Sequence, residues 1–309
     1  MSLELTMKTP PTLLAVLLGI TLPIMAQTNE QPQSLIAPGA KLEKLSGEFQ
    51  FAEGATCDPS GNVFFTDQPN DRILKWSVDG KLSTFKQPAG RANGMCFDAK
   101  GNLYACADEK NELWSITPDS AVTVVWKDYE GKLLNGPNDV ALLPDGSLFF
   151  TDPFYKRSWW KHSERPQDTE QVYFLSADHK NLKRVTTDLT KPNGIVASAD
   201  GKTLFVADIG ASKTYSFKVQ PDGSLADKQL RASMGSDGMT LDTEGNLYLT
   251  GRGVFIFAPN GKQLEHIPVP ESWVGNICFG GKNHDTLFIA ASKGLYSIRM
   301  KTKGANPAK

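Results

Sequence analysis

A strand, a tight turn and a second strand recur six times along the chain, and no other feature limits its fold so strongly. The plainest copy begins at Lys191-Pro192-Asn193-Gly194 and enters the apolar Ile195-Val196-Ala197. It turns at Ser198-Ala199-Asp200-Gly201 and continues as Leu204-Phe205-Val206-Ala207. The other copies read EGATCDPSGNVFFTD from Glu53, NGMCFDAKGNLYACAD from Asn93 and NDVALLPDGSLFFTD from Asn138. DGMTLDTEGNLYLTG follows from Asp237 and NICFGGKNHDTLFIAA from Asn276. Aligned on the turn, Glu53, Asn93, Asn138, Asn193, Asp237 and Asn276 form one column, with steps of 40, 45, 55, 44 and 39 residues. That is the period of a propeller blade.

A third alternating run follows each pair, as in Ile73-Leu74-Lys75-Trp76 and Val254-Phe255-Ile256-Phe257, and polar turns then lead to a fourth, such as Leu82-Ser83-Thr84-Phe85. The sixth copy lacks a fourth run, while a spare one stands before the first copy around Lys41-Leu42-Glu43-Lys44-Leu45. The expected architecture is therefore all-β, a six-bladed β-propeller of four-stranded blades closed by an N-terminal strand, over residues 41–302. Closure would shield the edges that open sheets expose.

The ends read differently. Lys8 precedes an apolar run from Leu13 to Met25, and Ala26 gives way to polar residues, the pattern of a signal peptide over residues 1–26. The run is short for a membrane span, which needs roughly 20 apolar residues. Residues 27–40 read as a linker and 303–309 as a polar tail; the expected location is periplasmic or secreted, with no membrane association after processing. With 33 basic residues against 34 acidic and no long block of one sign, nucleic acid and anionic membranes are excluded as partners. Cys57, Cys96, Cys106 and Cys278 form no CxxC motif and read as small buried side chains, a Cys96–Cys106 disulfide being the alternative.

First strands of propeller blades line the central channel, so the column of six forms a ring at one level. Two carboxylates, Glu53 and Asp237, and four amides make that ring all-oxygen, without His or Cys. Such a set suits a hard divalent cation: Ca²⁺ accepts carboxylates and amide carbonyls together, whereas zinc recruits nitrogen or sulfur. Asn before Gly is also a turn former, and for Asn93 and Asn276 that reading stands beside the metal one. Glu is a poor turn residue, so at Glu53 the metal reading leads. An insertion after Asn138, from Phe154 to His162, is aromatic and basic and reads as a lid or as a loop packed on its blade. The four histidines all fall outside the ring.

The motifs Glu53-Gly54, Gly136-Pro137-Asn138-Asp139, Phe150-Thr151-Asp152-Pro153, Lys191-Pro192-Asn193-Gly194 and Ser236-Asp237-Gly238-Met239 resemble those of the gluconolactonase and senescence marker protein (regucalcin) family. Squid-type diisopropyl fluorophosphatase is a more distant likeness. The resemblance covers Phe51 to Ser297. It implies a divalent metal, Ca²⁺ first with Mg²⁺, Mn²⁺ or Zn²⁺ as alternatives, held by Glu53, Asn138, Asn193 and Asp237, and hydrolysis of a small lactone. Asp237, ligand and second carboxylate at once, is the candidate catalytic residue. Asn93, Arg91, Tyr155 and Trp159 are candidate substrate contacts, and Asp139 and Asp208 are placed to orient ligands. In the vertebrate branch an Arg that helps bind the sugar stands where this chain has Gly136; Arg91 is its candidate replacement. A non-catalytic, metal-pinned binding propeller and a phosphotriester or ester hydrolase are the competing readings.

Overall fold

A computed structural model describes residues 1–2, 6–7 and 34–305. The expected leader therefore lies almost wholly outside the described residues, as do linker residues 27–33 and tail residues 306–309. The described residues 34–305 belong to one compact unit.

Six antiparallel sheets of four strands account for the unit, together with one short hairpin, Asp128–Tyr129 with Lys132–Leu133. Their first strands are Ala52–Cys57, Ala92–Phe97, Val140–Leu142, Pro192–Ala197, Met239–Leu241 and Val274–Gly280. Each packs beside the first strands of the two flanking blades, that of blade one beside that of blade six. The blades are thus a six-bladed β-propeller around an axis.

Closure by an N-terminal strand is not what the sheets show, and that expectation is corrected. No sheet closes on itself: all six are open ladders of four strands. The N-terminal strand, Glu43–Gly47, is the outer edge of the sixth blade and pairs only with Gly294–Arg299. A meander of four strands leaves each blade two edges, and one added strand fills a place in a ladder without joining its ends.

Both faces of each blade are apolar because the second strands are buried on both sides, as in Val63–Asp67, Leu103–Ala107 and Leu148–Asp152. The core is accordingly divided into six clusters, each shared by two neighbouring blades. Phe64 and Ile73 of blade one meet Phe97 and Leu103 of blade two, and Phe65 and Leu74 meet Phe288 and Leu295 of blade six. Burying a Leu, Ile or Phe side chain contributes about 1.5–3 kcal/mol, so the blades are cemented face to face. Lys303, Gly304 and Ala305, in the expected tail, bond to Thr243, His284 and Leu241 and tie blade five to blade six. No disulfide joins the cysteines; three are buried and Cys96 nearly so. Among the described residues no helix is long and apolar enough to cross a membrane.

Candidate functional site

The chain reaches the column residues through a repeated clamp. In blade one, Asp67 Oδ1 accepts the N–H groups of Gln50 and Phe51 at 3.0 and 3.2 Å. In blade three, Asp152 accepts those of Asn135 and Gly136 at 2.8 and 2.9 Å. In blade four, Asp208 accepts those of Thr190 and Lys191, both at 2.9 Å. The donors always stand three and two residues before Glu53, Asn138 and Asn193. Each buried carboxylate ends a second strand and fixes the backbone that delivers the next side chain to the axis. Blade five uses hydroxyls: Thr250 N–H donates to Ser236 Oγ at 2.7 Å and Gly238 N–H to Thr250 Oγ1 at 2.9 Å, bracketing Asp237.

Glu53, Asn138, Asn193 and Asp237 line one cavity of about 560 Å³, together with Asn93, Tyr155 and Trp159. Asn193 Nδ2 donates to the Tyr155 hydroxyl at 2.9 Å, and the Trp273 indole N–H donates to Asp237 Oδ2 at 2.7 Å. The remaining oxygens are left over. Glu53 Oε2 and Asn193 Oδ1 are buried and have no hydrogen-bond partner among the described residues. Burial, and then the charges of Asp237 and Asp139, push the Glu53 carboxyl well above the usual carboxylate range. Burial raises Asp237 to about 6, opposed by the Trp273 hydrogen bond, the Asn193 amide and the Arg157 charge. Two buried carboxyls, Glu53 raised further by the charge of Asp237, and two orphaned acceptors form a set that a hard cation satisfies. Among the described residues there is no group of three or more His, Cys, Asp or Glu side chains placed for a metal; the donors here are two acids and two amides.

Asn276 does not belong to this column. Strand register pairs Ile277 with Ile289 and Val274 with Ala291, as Ile195 pairs with Val206 and Pro192 with Asp208, which puts Gly275 at the equivalent place. Asn276 instead matches Asp139: each accepts the N–H of its following residue, at 2.8 and 2.9 Å, and each lines a second cavity at the far end of the first strands. The glycine has a use. A Cβ at Gly275 would stand 2.0 Å from Glu53 Oε2.

Asp139 lies behind Glu53; burial lifts it to about 8, against hydrogen bonds from Val140 and Ile195. Asp208 acts on the Asn193 turn only through backbone. Arg91 stays out of the cavity wall and stacks on Trp159, its guanidinium 4.5 Å from the ring centre. The insertion supplies more than the aromatic pair. Arg157, a wall residue, is held by Asp108, the carboxylate that occupies the clamp position of blade two. Asp71 takes over the clamp there, accepting the N–H groups of Ala89 and Arg91 at 2.9 and 2.7 Å. Asp108 is thereby released to bind Arg157 Nε at 2.7 Å, while its backbone carbonyl accepts the Trp160 indole N–H at 2.6 Å. Sequence reasoning missed Trp273 and Asp108. Asp108 carries a signal, the second-strand-end Asp of its repeat, whereas Trp273 stands outside every motif.

Fold and cavity together define a class: six-bladed propellers with an axial pocket of acids and amides at one end of the first strands. The family model described as "SMP-30/Gluconolactonase/LRE-like region" matches residues 51–293, and the chain belongs to that family. A gluconolactonase of Zymomonas mobilis is 27% identical over 317 aligned positions, 93% of this chain and 88% of that protein. A gluconolactonase structure from Xanthomonas campestris superposes with a TM-score of 0.80 at 29% identity, covering 86% of this chain and 91% of that one. The diisopropyl-fluorophosphatase of Loligo vulgaris is 25% identical over 248 positions, 71% of this chain and 79% of that protein.

Proposed function

We propose that the chain opens the ring of a small lactone, a sugar lactone or a close relative, in the cavity around Glu53 and Asp237. The observation that carries the reading is the pair of buried, unpartnered oxygens, Glu53 Oε2 and Asn193 Oδ1, in a pocket whose other acids and amides come from separate blades. A divalent cation, Ca²⁺ first, held by Glu53, Asn138, Asn193 and Asp237 would supply Lewis-acid stabilisation of the oxyanion.

The side chains divide the remaining work. Trp273 donates to Asp237 Oδ2 and so fixes the carboxylate that takes the proton of the attacking water and returns it to the departing ring oxygen. Burial raises this carboxyl above the usual carboxylate range, which makes it a better proton acceptor than an exposed aspartate. Tyr155 fixes the Asn193 amide so that its Oδ1 is the end offered to the cation. Trp159 and Tyr155 present ring faces against which a compact ring can lie. The Zymomonas and Xanthomonas gluconolactonases support this substrate class.

A panel of γ- and δ-lactones, assayed before and after chelation and after Ca²⁺ is restored, tests the proposal. Ring opening that disappears with chelator and returns with the ion is expected; no turnover of any lactone at any metal load overturns it. Export belongs to the same proposal, supported by the apolar run from Leu13 to Met25. Mass spectrometry of the mature protein should find a chain beginning near Gln27, and an intact leader on the secreted or periplasmic protein would contradict it.

A further inference from the structure

The pocket has a second chemistry that lactone opening leaves unexplained. Its acceptors come from the first strands, but the 154–162 insertion brings donors. Arg157 lines the cavity and uses only Nε, on Asp108; its terminal nitrogens make no hydrogen bond among the described residues. Trp159, also a wall residue, has two guanidinium groups near its ring, that of Arg91 at 4.5 Å and that of Arg157 at 5.5 Å from the ring centre. Trp159 Nε1 and Arg91 Nε are buried without a partner.

The neighbouring cations are balanced differently. Lys191 has Glu170 at 3.9 Å and the Phe154 carbonyl at 3.2 Å. Arg91 has no carboxylate within ion-pair distance among the described residues, and its Nη1 goes to the Pro69 carbonyl. Two guanidiniums over one indole repel each other, and Asp108 is the one carboxylate within ion-pair distance of either among the described residues; Glu53 and Asp237, which also feel the Arg157 charge, are the acids assigned to the cation. A guanidinium fork is preorganised for a planar oxyanion and loses little entropy in receiving it. A neutral hydroxymethyl group would leave most of these donors and the surplus charge uncompensated.

We propose, resting on the lactonase reading, that the preferred substrate is a lactone bearing an ionised carboxylate on its ring substituent. Arg157's terminal nitrogens receive the carboxylate, and Trp159, backed by Arg91, covers the adjoining face of the ring. Asp108 is a positioning residue, since it touches Arg157 and not the substrate.

The test compares two γ-lactones of the same six-carbon sugar configuration, that of the aldonic acid ending in hydroxymethyl and that of the aldaric acid ending in carboxylate, through the ratio of their kcat/KM values. The wild-type ratio should favour the carboxylate lactone by roughly tenfold to a hundredfold, the range of a charge-assisted hydrogen bond, and should shrink as salt is added. In Arg157→Met the ratio should collapse mainly through KM for the carboxylate lactone. Arg91→Met, which leaves the Arg157–Asp108 pair in place, should lower it by a smaller factor and so keeps the test intact if the first variant is unstable. A wild-type ratio at or below one, or a ratio unmoved by both variants and by salt, overturns the inference while lactone opening stands. Failure to open either lactone overturns both.

Discussion

Gly275 leaves space beside Glu53 that a methyl group would take: its Cβ would lie 2.0 Å from Oε2 and 2.9 Å from Cδ. Gly275→Ala should therefore abolish Ca²⁺ binding by calorimetry, and turnover with it, while the near-ultraviolet circular dichroism of the fold is kept. Asp237→Asn keeps the shape but removes the proton acceptor; kcat should fall by about 10²–10⁴ with unfolding unchanged, and full activity in that variant would end its assignment. At this scale the sequence was informative where a residue broke a pattern. Glu53 stood out against asparagines and Asp237 against amides. Gly275 did not, because Asn276 beside it imitates the column, and only the strand register separates them.

Among elements, the clamp at the end of each second strand is what lets turns behave as fixed mounts. Asp208→Ala leaves the N–H groups of Thr190 and Lys191 without their acceptor. Urea denaturation should show a loss of about 1–3 kcal/mol, and Ca²⁺ affinity should weaken because Asn193 is no longer held. The strand pattern and the blade count were legible because alternation and turn residues are local. Asp208 was readable as a supporting residue from its place beside the repeat. The partnership of Asp108 with Arg157 was not: it joins residues of different blades and exists only because the insertion folds over its neighbour. The same limit hid Trp273, whose bond to Asp237 crosses from blade six to blade five.

For the whole molecule, buried acids make stability depend on pH. Asp237, Asp152 and Asp139 sit at about 6, about 7 and about 8, each raised first by burial. In the unfolded chain such groups ionise near pH 4, so between about pH 4 and 8 the folded protein binds more protons. Stability is then full below that window and is lost as pH rises through it. In chelator, the urea midpoint should fall from pH 5 to pH 8; saturating Ca²⁺ should remove the part due to Asp237 and Glu53 and leave the part due to Asp152 and Asp139. A chelated protein that gains stability over this range would contradict the burial argument. The column side chains of the pocket come from blades one to five, and Gly275 of blade six, which leaves room beside Glu53, lies 222 residues beyond it (275 − 53). The pocket is therefore complete only when the sixth blade, with Gly275 and Trp273, has docked beside the first.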